Sequence, residues 1–338
     1  RMALLAKRPL LALAAACAWS AASSEPQLPV LTAIAMGGGG NQHPNVFGLQ
    51  PDGSLVTWGV QWKADTMPTG GNHTSLTAGD FNPCVLKADK SPVCFGIVNQ
   101  IDWFPAGLRL TGIVTGVYGS CGWHEADGSL GCWGYPTTDW TPPAGRNFSA
   151  VAVGMYMVCG IDADTLAAVC WGDPDCDPSP CDPPSGVRLV AIAAYRITFC
   201  GIEEGTLRLV CWGAHPDQTF DLDLMHSETA GIRFKSIAFI GRYTLCGLKE
   251  DGHAACFNPS SVVTVAYWQY ALPEDETFIA IAGADDEAVC GITTRDHTPR
   301  CWGNDNFGLV SVPYIRDSWA GLPVQPRRYV MCWYNDRC

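Results

Sequence analysis

The sequence predicts an all-β protein, a seven-bladed β-propeller with disulfide bonds inside its blades, and three observations lead to this prediction. An aromatic residue recurs about every forty residues, which is the period of propeller blades. Six of these aromatic residues directly follow the second cysteine of a pair. Each unit also opens with a short run of small and β-branched residues, which suits the narrow space around a propeller axis. The repeated aromatic positions are Trp58, Phe95, Trp133, Trp171, Trp212, Phe257 and Trp302.

The paired cysteines indicate a hairpin within each of six repeats. Turn-forming dipeptides such as Asp127-Gly128 and Asp251-Gly252 lie between them. Residues that face each other at a non-hydrogen-bonded site have Cα atoms roughly 4.5 Å apart, within reach of a disulfide. The first repeat lacks both cysteines together, with Phe47 and Thr57 in their places, as a bonded pair predicts. We therefore expect the bonds Cys84–Cys94, Cys121–Cys132, Cys159–Cys170, Cys200–Cys211, Cys246–Cys256 and Cys290–Cys301.

The beginning of the chain and the remaining cysteines predict secretion. Residues 1–22 have the layout of a signal peptide, with two basic residues before an apolar run and a small-residue stretch. Cleavage of this segment would remove Cys17. The alternative is a lipoprotein site at Cys17. The sixteen cysteines left are even in number, which implies oxidised pairs in a secreted protein. We expect a propeller over 26–325, a tail over 326–338, and two further local bonds, Cys176–Cys181 and Cys332–Cys338.

Charge and composition exclude several partners. The chain has a formal net charge of −12. An acidic surface repels phosphate backbones, so we expect no nucleic-acid or anionic-membrane partner. No second apolar run is long enough to span a membrane. Sequons at Asn72 and Asn147 favour a glycoprotein.

Catalytic and metal-binding motifs are weak, and we expect neither an enzyme nor a cofactor. His124-Glu125 lacks the second histidine of a zinc-protease motif, and no Gly-x-Ser-x-Gly nucleophile elbow occurs. The cysteines include no CxxC and no accompanying histidine cluster, which argues against zinc. Alternating carboxylates between Asp173 and Asp182 have the chemistry to coordinate Ca²⁺. The prolines and the missing loop glycine favour a rigid, solvated surface loop instead, so we expect no metal site.

The repeat resembles a known family. Its order of small-residue strand, Cys-Gly, turn and Cys-Trp-Gly is similar to the regulator-of-chromosome-condensation propeller. The cysteine pairing, with a cysteine-free first repeat, most resembles the extracellular domain of plant crinkly-type receptor kinases. The similarity covers roughly residues 30–305 and is carried by Cys121-Gly122…Cys132-Trp133-Gly134, Cys159-Gly160…Cys170-Trp171-Gly172, Cys200-Gly201…Cys211-Trp212-Gly213 and Cys290-Gly291…Cys301-Trp302-Gly303.

What this resemblance implies is an ectodomain-like propeller. Nuclear members of the wider family promote nucleotide exchange on a small GTPase and bind chromatin. A secreted, acidic and disulfide-bonded chain does not suit that nuclear role. The shared fold does not by itself imply a shared function.

The loops that follow the inner strands are the best candidates for a binding site. In a propeller these loops surround the mouth of the central channel, and here they contain tyrosine and arginine, which dominate binding hot spots. The alternative is that the tyrosines only cap the channel. The predicted ligand face consists of Asp80, Tyr118, Tyr156, Tyr195, Arg196, Arg242, Tyr243 and Asp286.

We therefore expect a secreted or cell-surface recognition module that binds an extracellular protein, peptide or glycan, like a receptor ectodomain without its kinase. One alternative is a structural component of a cell wall, extracellular matrix or surface appendage. Another is a secreted inhibitor of the propeller type.

Closure of the ring gives a last expectation. Residues 27–31 and 309–312 are both strand-like. Unpaired sheet edges invite association with other chains. We therefore predict that the two segments share a sheet in one blade.

Overall fold

The computed structural model describes residues 27–37, 45–60, 66–96, 104–135, 139–172, 182–213, 220–240, 244–259, 273–284, 288–303 and 308–313. Residues Leu28–Tyr314 belong to one compact unit. The described part of this unit contains seven antiparallel sheets of three strands, and the strands of each sheet are consecutive in the chain. These are the seven blades of an all-β propeller, as the repeats predict.

Each blade begins with its inner strand, continues with a middle strand and ends with an outer strand. One short helix, α1 at Leu222–Glu228, follows blade 5 and is capped by Asp221, whose carboxylate accepts from the Leu224 amide. The strands are β1 Ala33–Gly37, β2 Asn45–Leu49, β3 Leu55–Gly59, β4 His73–Ala78, β5 Pro83–Lys87, β6 Pro92–Cys94, β7 Leu110–Thr115, β8 Gly119–His124, β9 Leu130–Gly134, β10 Phe148–Val153, β11 Met157–Asp162, β12 Ala168–Gly172, β13 Leu189–Tyr195, β14 Thr198–Glu203, β15 Leu209–Gly213, β16 Phe234–Ile240, β17 Thr244–Lys249, β18 Ala254–Phe257, β19 Phe278–Ala284, β20 Ala288–Thr293 and β21 Pro299–Gly303.

The hydrophobic core lies at the junctions between neighbouring blades. Each of seven clusters of buried side chains combines residues of two adjacent blades. The aromatic residue after the second cysteine packs toward the preceding blade, and the disulfide faces the following one. Trp212, for example, is buried against blade 4, whereas Cys200 and Cys211 of the same blade face blade 6.

The six bonds predicted within the repeats are present. The paired cysteines lie directly opposite each other on the middle and outer strands. Their Cα atoms are 4.0 to 4.1 Å apart. In blade 1 the aromatic ring of Phe47 takes the place of a disulfide. It contacts Phe95 of blade 2 edge-on, with ring centroids 5.4 Å apart.

One backbone hydrogen bond recurs at the blade junctions. The residue that opens a repeat donates its N–H to the carbonyl of a turn residue in the preceding blade, and that turn residue has a positive φ. The ring therefore closes between blade 7 and blade 1 through the same bond that five of the other six junctions have. The donor and acceptor pairs are His73 and Gly53, Leu110 and Lys90, Leu189 and Leu166, Phe234 and Leu207, Phe278 and Gly252, and Leu31 and His297.

The prediction that residues 27–31 and 309–312 share a sheet is wrong. Residues 309–312 form no strand, and every sheet in the described ranges contains only consecutive strands. Leu309 is instead fully buried among residues of blades 1 and 7. Its carbonyl accepts a hydrogen bond of 2.8 Å from the indole Nε1 of Trp58. A short apolar run in a sequence can be a strand or a buried irregular segment, because hydrophobic periodicity alone does not distinguish the two.

Several predictions lie outside the described residues. They are the signal peptide at 1–22, the tail at 326–338, the pairs Cys176–Cys181 and Cys332–Cys338, and almost all of the acidic loop that ends at Asp182.

Candidate functional site

The inner strands of all seven blades end around one small cavity. Its volume is about 100 Å³. Pockets for drug-sized ligands measure roughly 300–1,000 Å³. The cavity therefore has room for a single side chain or an ion. Its lining includes Met36, Asp80, Thr115, Val153, Arg196, Phe239 and Gly283, one residue from each blade.

Close backbone contacts between blades fix the loops at this mouth. A Cβ atom on Gly79 would lie 2.0 Å from the carbonyl oxygen of Gly116, so only glycine fits there. The Val117 N–H donates to the Gly154 carbonyl at 3.2 Å. The Met155 N–H donates in turn to the next blade, to the Arg196 carbonyl at 2.8 Å. The side chains on these loops are therefore presented by a rigid backbone.

Three of the loops bring aromatic side chains together. Phe81, Tyr118 and Tyr156 follow the inner strands of blades 2, 3 and 4. The rings of Phe81 and Tyr118 stack with centroids 5.7 Å apart and planes 11° apart. Tyr118 and Tyr156 stack at 5.2 Å and 29°. Tyr135, which follows the outer strand of blade 3, meets Tyr118 at 6.1 Å and 45°. We call these four residues the aromatic cluster, and Tyr118 contacts the other three.

The exposure of the aromatic cluster is graded. Phe81, Tyr118 and Tyr156 are half-buried, whereas Tyr135 is 44% exposed. The cluster thus combines rings held by their neighbours with one ring open to solvent. Half-buried aromatic side chains provide apolar contact area at low cost in side-chain entropy.

Tyr195 and Arg196 lie where the inner strand of blade 5 ends. Tyr195 is buried, lines the cavity and packs against Phe239 at a centroid distance of 6.4 Å. Arg196 has a φ of 54°, and its guanidinium lies 5.9 Å from the centroid of the Tyr195 ring. Asp80 lines the same cavity from blade 2. The structure therefore stacks Tyr118 on Tyr156, whereas the Tyr195 ring packs against Phe239. Arg242, Tyr243 and Asp286 lie outside the described residues.

Sequence reasoning missed Phe81 and Tyr135. Phe81, Tyr118 and Tyr156 each stand three residues before the first cysteine of their blade, whereas Tyr195 stands five before its own. Alignment on the cysteines would have found Phe81, because the middle strand fixes the loop from that side. Tyr135 comes from a different loop, and no signal in the repeat pointed to it.

The carboxylates with strongly lowered pKa lie far from this mouth, in the hairpin turns. The backbone and side chain of Thr165, with Arg146, hold the pKa of Asp162 at about 2. The hydroxyls of Thr293 and Thr298 hold the pKa of Asp296 at about 2. Both carboxylates are turn-stabilising acceptors.

The described ranges contain neither a metal-binding cluster nor a membrane-spanning helix. No group of three or more metal-ligating side chains occurs in them. None of their helices is long and apolar enough to cross a bilayer.

Comparison with known proteins places this fold. No protein-family model matches the chain. The ectodomain of the receptor kinase CR4 from Physcomitrella patens is 22% identical with a TM-score of 0.65, over 82% of this chain and 75% of that one. The CRINKLY WD40 ectodomain of the Arabidopsis thaliana receptor kinase ACR4 is 22% identical with a TM-score of 0.64, over 84% and 100%. Prp20p from Saccharomyces cerevisiae is 14% identical with a TM-score of 0.53, over 80% and 81%.

These similarities define the class of fold. The chain is a disulfide-rich seven-bladed propeller that resembles crinkly-type ectodomains and propellers of the regulator-of-chromosome-condensation type. The resemblance expected from the repeated Cys-Gly and Cys-Trp-Gly motifs is confirmed at the level of the fold.

Proposed function

We propose that the chain is a secreted or cell-surface recognition module whose extracellular partner, a protein, peptide or glycan, binds over the aromatic cluster. The observation that carries this proposal is the convergence of four aromatic side chains from three blades around Tyr118. Hot spots of binding are aromatic, clustered and surrounded by other contacts. The backbone bonds between these loops reduce the ordering that binding would require. We assign binding to this mouth and no catalysis.

The compartment in this proposal is supported by the covalent structure. Six disulfides within the blades are typical of proteins that reside in an oxidising environment. The two plant receptor kinases carry a propeller of this fold in their ectodomains.

Glycosylation at Asn72 and Asn147 would leave the mouth open. Both residues are exposed and directly precede inner strands, β4 and β10, that end at the mouth. Six-residue strands are about 20 Å long, so glycans would project from the opposite end of the ring. The sequon hydroxyls of Thr74 and Ser149 also donate to carbonyls of the middle strand, which gives these two residues a structural role of their own.

Site-directed photo-crosslinking tests the proposal. Benzoylphenylalanine is placed at position 135, on the aromatic cluster, or at position 190, at the other end of an inner strand. Tyr135 and Val190 are matched in exposure, at 44% and 49%. With an extracellular fraction of the source organism, we expect a discrete adduct from position 135 that excess unlabelled protein suppresses, and none from position 190. Equal adducts from both positions, or adducts from position 190 alone, would show that the partner does not bind at the mouth.

A further inference from the structure

We propose that the outer strand of blade 3, β9, pairs with an extended segment of a partner protein, which adds a fourth strand to this sheet. The inference rests on the proposed function and deepens it, because it identifies the partner as a polypeptide and not a glycan.

The backbone of β9 presents hydrogen-bonding groups at the edge of its sheet. Cys121 and Cys132 face each other with Cα atoms 4.1 Å apart, as in a non-hydrogen-bonded pair. The N–H and C=O of Cys132 therefore point away from β8, and so do those of Leu130 and Gly134, because an antiparallel ladder alternates. Among the described residues, none bonds to these outward groups. Such a row of backbone donors and acceptors is complementary to another extended chain.

Three other outer strands are protected at the corresponding edge. In blade 5 the N–H of Cys211 also points away from the sheet, and it donates to Nε2 of His226 on α1 at 3.0 Å. In blades 2 and 7 a proline takes the position of Leu130, so the outward N–H is missing there. These prolines are Pro92 and Pro299. Proline and a covering helix are two ways in which proteins keep sheet edges from pairing.

β9 has neither form of protection. Leu130–Gly134 contains no proline and no charged residue, and all of its residues are half-buried. By contrast, Cys211 and Trp212 of β15, the strand that α1 packs against, are buried. The edge of β9 is therefore accessible to a partner.

The position of β9 distinguishes it from the other unprotected edges. β12 and β18 also lack proline and charged residues. β9, however, continues directly into the aromatic cluster: Tyr135 follows its last residue, and the Tyr135 N–H donates to the Tyr118 carbonyl at 3.0 Å. A partner protein that binds over the cluster therefore has the edge of β9 beside it. The five residues of β9 extend over about 17 Å, so a partner segment of about five residues would pair along the whole strand.

Amide hydrogen exchange of the full protein tests this inference. In the free protein the Cys132 amide is expected to exchange at least about tenfold faster than the Cys211 amide, because only the latter has an acceptor, His226. An extracellular fraction of the source organism is expected to slow exchange at Cys132 about tenfold or more. Prior digestion of the fraction with immobilised protease is expected to abolish this effect, because the partner segment is a polypeptide.

Matched proline variants locate the pairing. Leu130→Pro gives β9 the residue that β6 and β21 have at this position, where the missing N–H is not part of the ladder. It removes an outward donor and is expected to reduce the slowing at Cys132 to less than about twofold. Ala168→Pro makes the same change at the corresponding position of β12 and is expected to leave the slowing as in the wild type. Leu130→Ala, which keeps the N–H, is expected to do the same. The measurements on the wild type depend on no variant.

The outcomes separate this inference from the proposed function. If the Cys132 amide is as protected as Cys211 in the free protein, if the fraction does not slow its exchange, or if Leu130→Pro is slowed equally, the inference is wrong. In each case an adduct from position 135 without one from position 190 leaves the proposed function standing. Slowing at Cys132 without that crosslinking pattern would support pairing at β9 and refute the partner site over the mouth.

Two further results would identify a different occupant and so overturn the inference. Slowing that survives protease digestion of the fraction would indicate a ligand that is not a polypeptide. Slowing that appears when the concentration of the protein alone is raised would indicate that β9 pairs with a second copy of this chain.

Discussion

The backbone N–H of Leu31 donates to the carbonyl of His297 over 2.8 Å and so joins the first blade to the last. The Leu31 side chain is fully buried in the cluster that blades 1 and 7 share. Ring closure thus depends on packing and one repeated backbone bond. This mode of closure differs from the shared sheet that the strand-like segments predict. The stability of the closed ring therefore depends on individual side chains.

Leu31→Ala is the direct test of closure by packing. Removal of a fully buried leucine side chain is expected to lower the free energy of unfolding by about 2–5 kcal/mol. The adjacent Val30 is 44% exposed. Val30→Ala is therefore expected to change the free energy of unfolding by less than about 0.5 kcal/mol. Equilibrium denaturation with guanidinium measures both. Similar values for the two variants would mean that the ends contribute little to closure.

The indole bond between Trp58 and Leu309 gives a second prediction. Trp58→Phe leaves the buried Leu309 carbonyl without this donor, whereas the buried Nε1 of Trp302 has no partner in the described structure. The two tryptophans are similarly buried and lie at corresponding positions of blades 1 and 7. Trp58→Phe is therefore expected to cost about 1–3 kcal/mol more than Trp302→Phe. Thermal and guanidinium unfolding compare them, and equal losses would assign no net stability to the bond.

A seventh disulfide within the blades is expected to form when cysteines are introduced into blade 1. Phe47 and Thr57 lie directly opposite each other, as the bonded cysteines do in the other blades. In Phe47→Cys/Thr57→Cys the new bond contributes about 2–3 kcal/mol. Loss of the buried Phe47 ring against Phe95 costs about 3–5 kcal/mol. We expect a bonded variant that is no more stable than the wild type.

Non-reducing peptide mapping and denaturation measure the two parts of this prediction, with Thr57→Cys as the single-residue control. A free thiol at both positions would show that blade 1 differs in backbone register. A marked gain in stability would show that Phe47 contributes little.

The hairpin turns make stability depend on acid pH. The Thr293 and Thr298 hydroxyls lower the pKa of Asp296 from 3.8 to about 2. A carboxyl whose folded pKa is lowered stabilises the fold above its unfolded pKa and loses that contribution as pH falls through the folded value. The wild type should therefore lose stability between about pH 4 and pH 2. Asp296→Asn should lose less over this range.

Urea midpoints measured from pH 6 to pH 2 test this expectation. Thr298→Ala removes one of the donors and brings the folded pKa of Asp296 closer to its unfolded value, so its loss of stability is expected to be smaller than in the wild type and to end at higher pH. Parallel curves for Asp296→Asn and the wild type would exclude a contribution from this carboxyl.

The fold was more predictable than the site, and particular residues show why. Cys159 and Cys170 face each other on adjacent strands. A disulfide between them therefore determines the two strands, the turn that joins them and the register of their pairing. No such constraint acts on the mouth loops, where Phe81 and Tyr118 meet only because neighbouring blades converge. Tyr195 is also a tyrosine, but it is the last residue of its strand and its ring packs against Phe239. Residue type predicted the kind of site, and only the spacing from the cysteines would have selected its members.

Tyr118 and Tyr195 should therefore respond differently to the same substitution. Tyr118 is half-buried in the aromatic cluster, so Tyr118→Ala is expected to reduce the partner adduct from position 135 about tenfold or more, with a loss of stability of about 1 kcal/mol. Tyr195 is buried against Phe239, so Tyr195→Ala is expected to cost about 3–5 kcal/mol and to leave the adduct unchanged where the protein stays folded. Crosslinking yield and guanidinium denaturation are measured on the same preparations. A Tyr118→Ala protein with full adduct yield, or a Tyr195→Ala protein with wild-type stability and no adduct, would reverse the roles assigned to these two tyrosines.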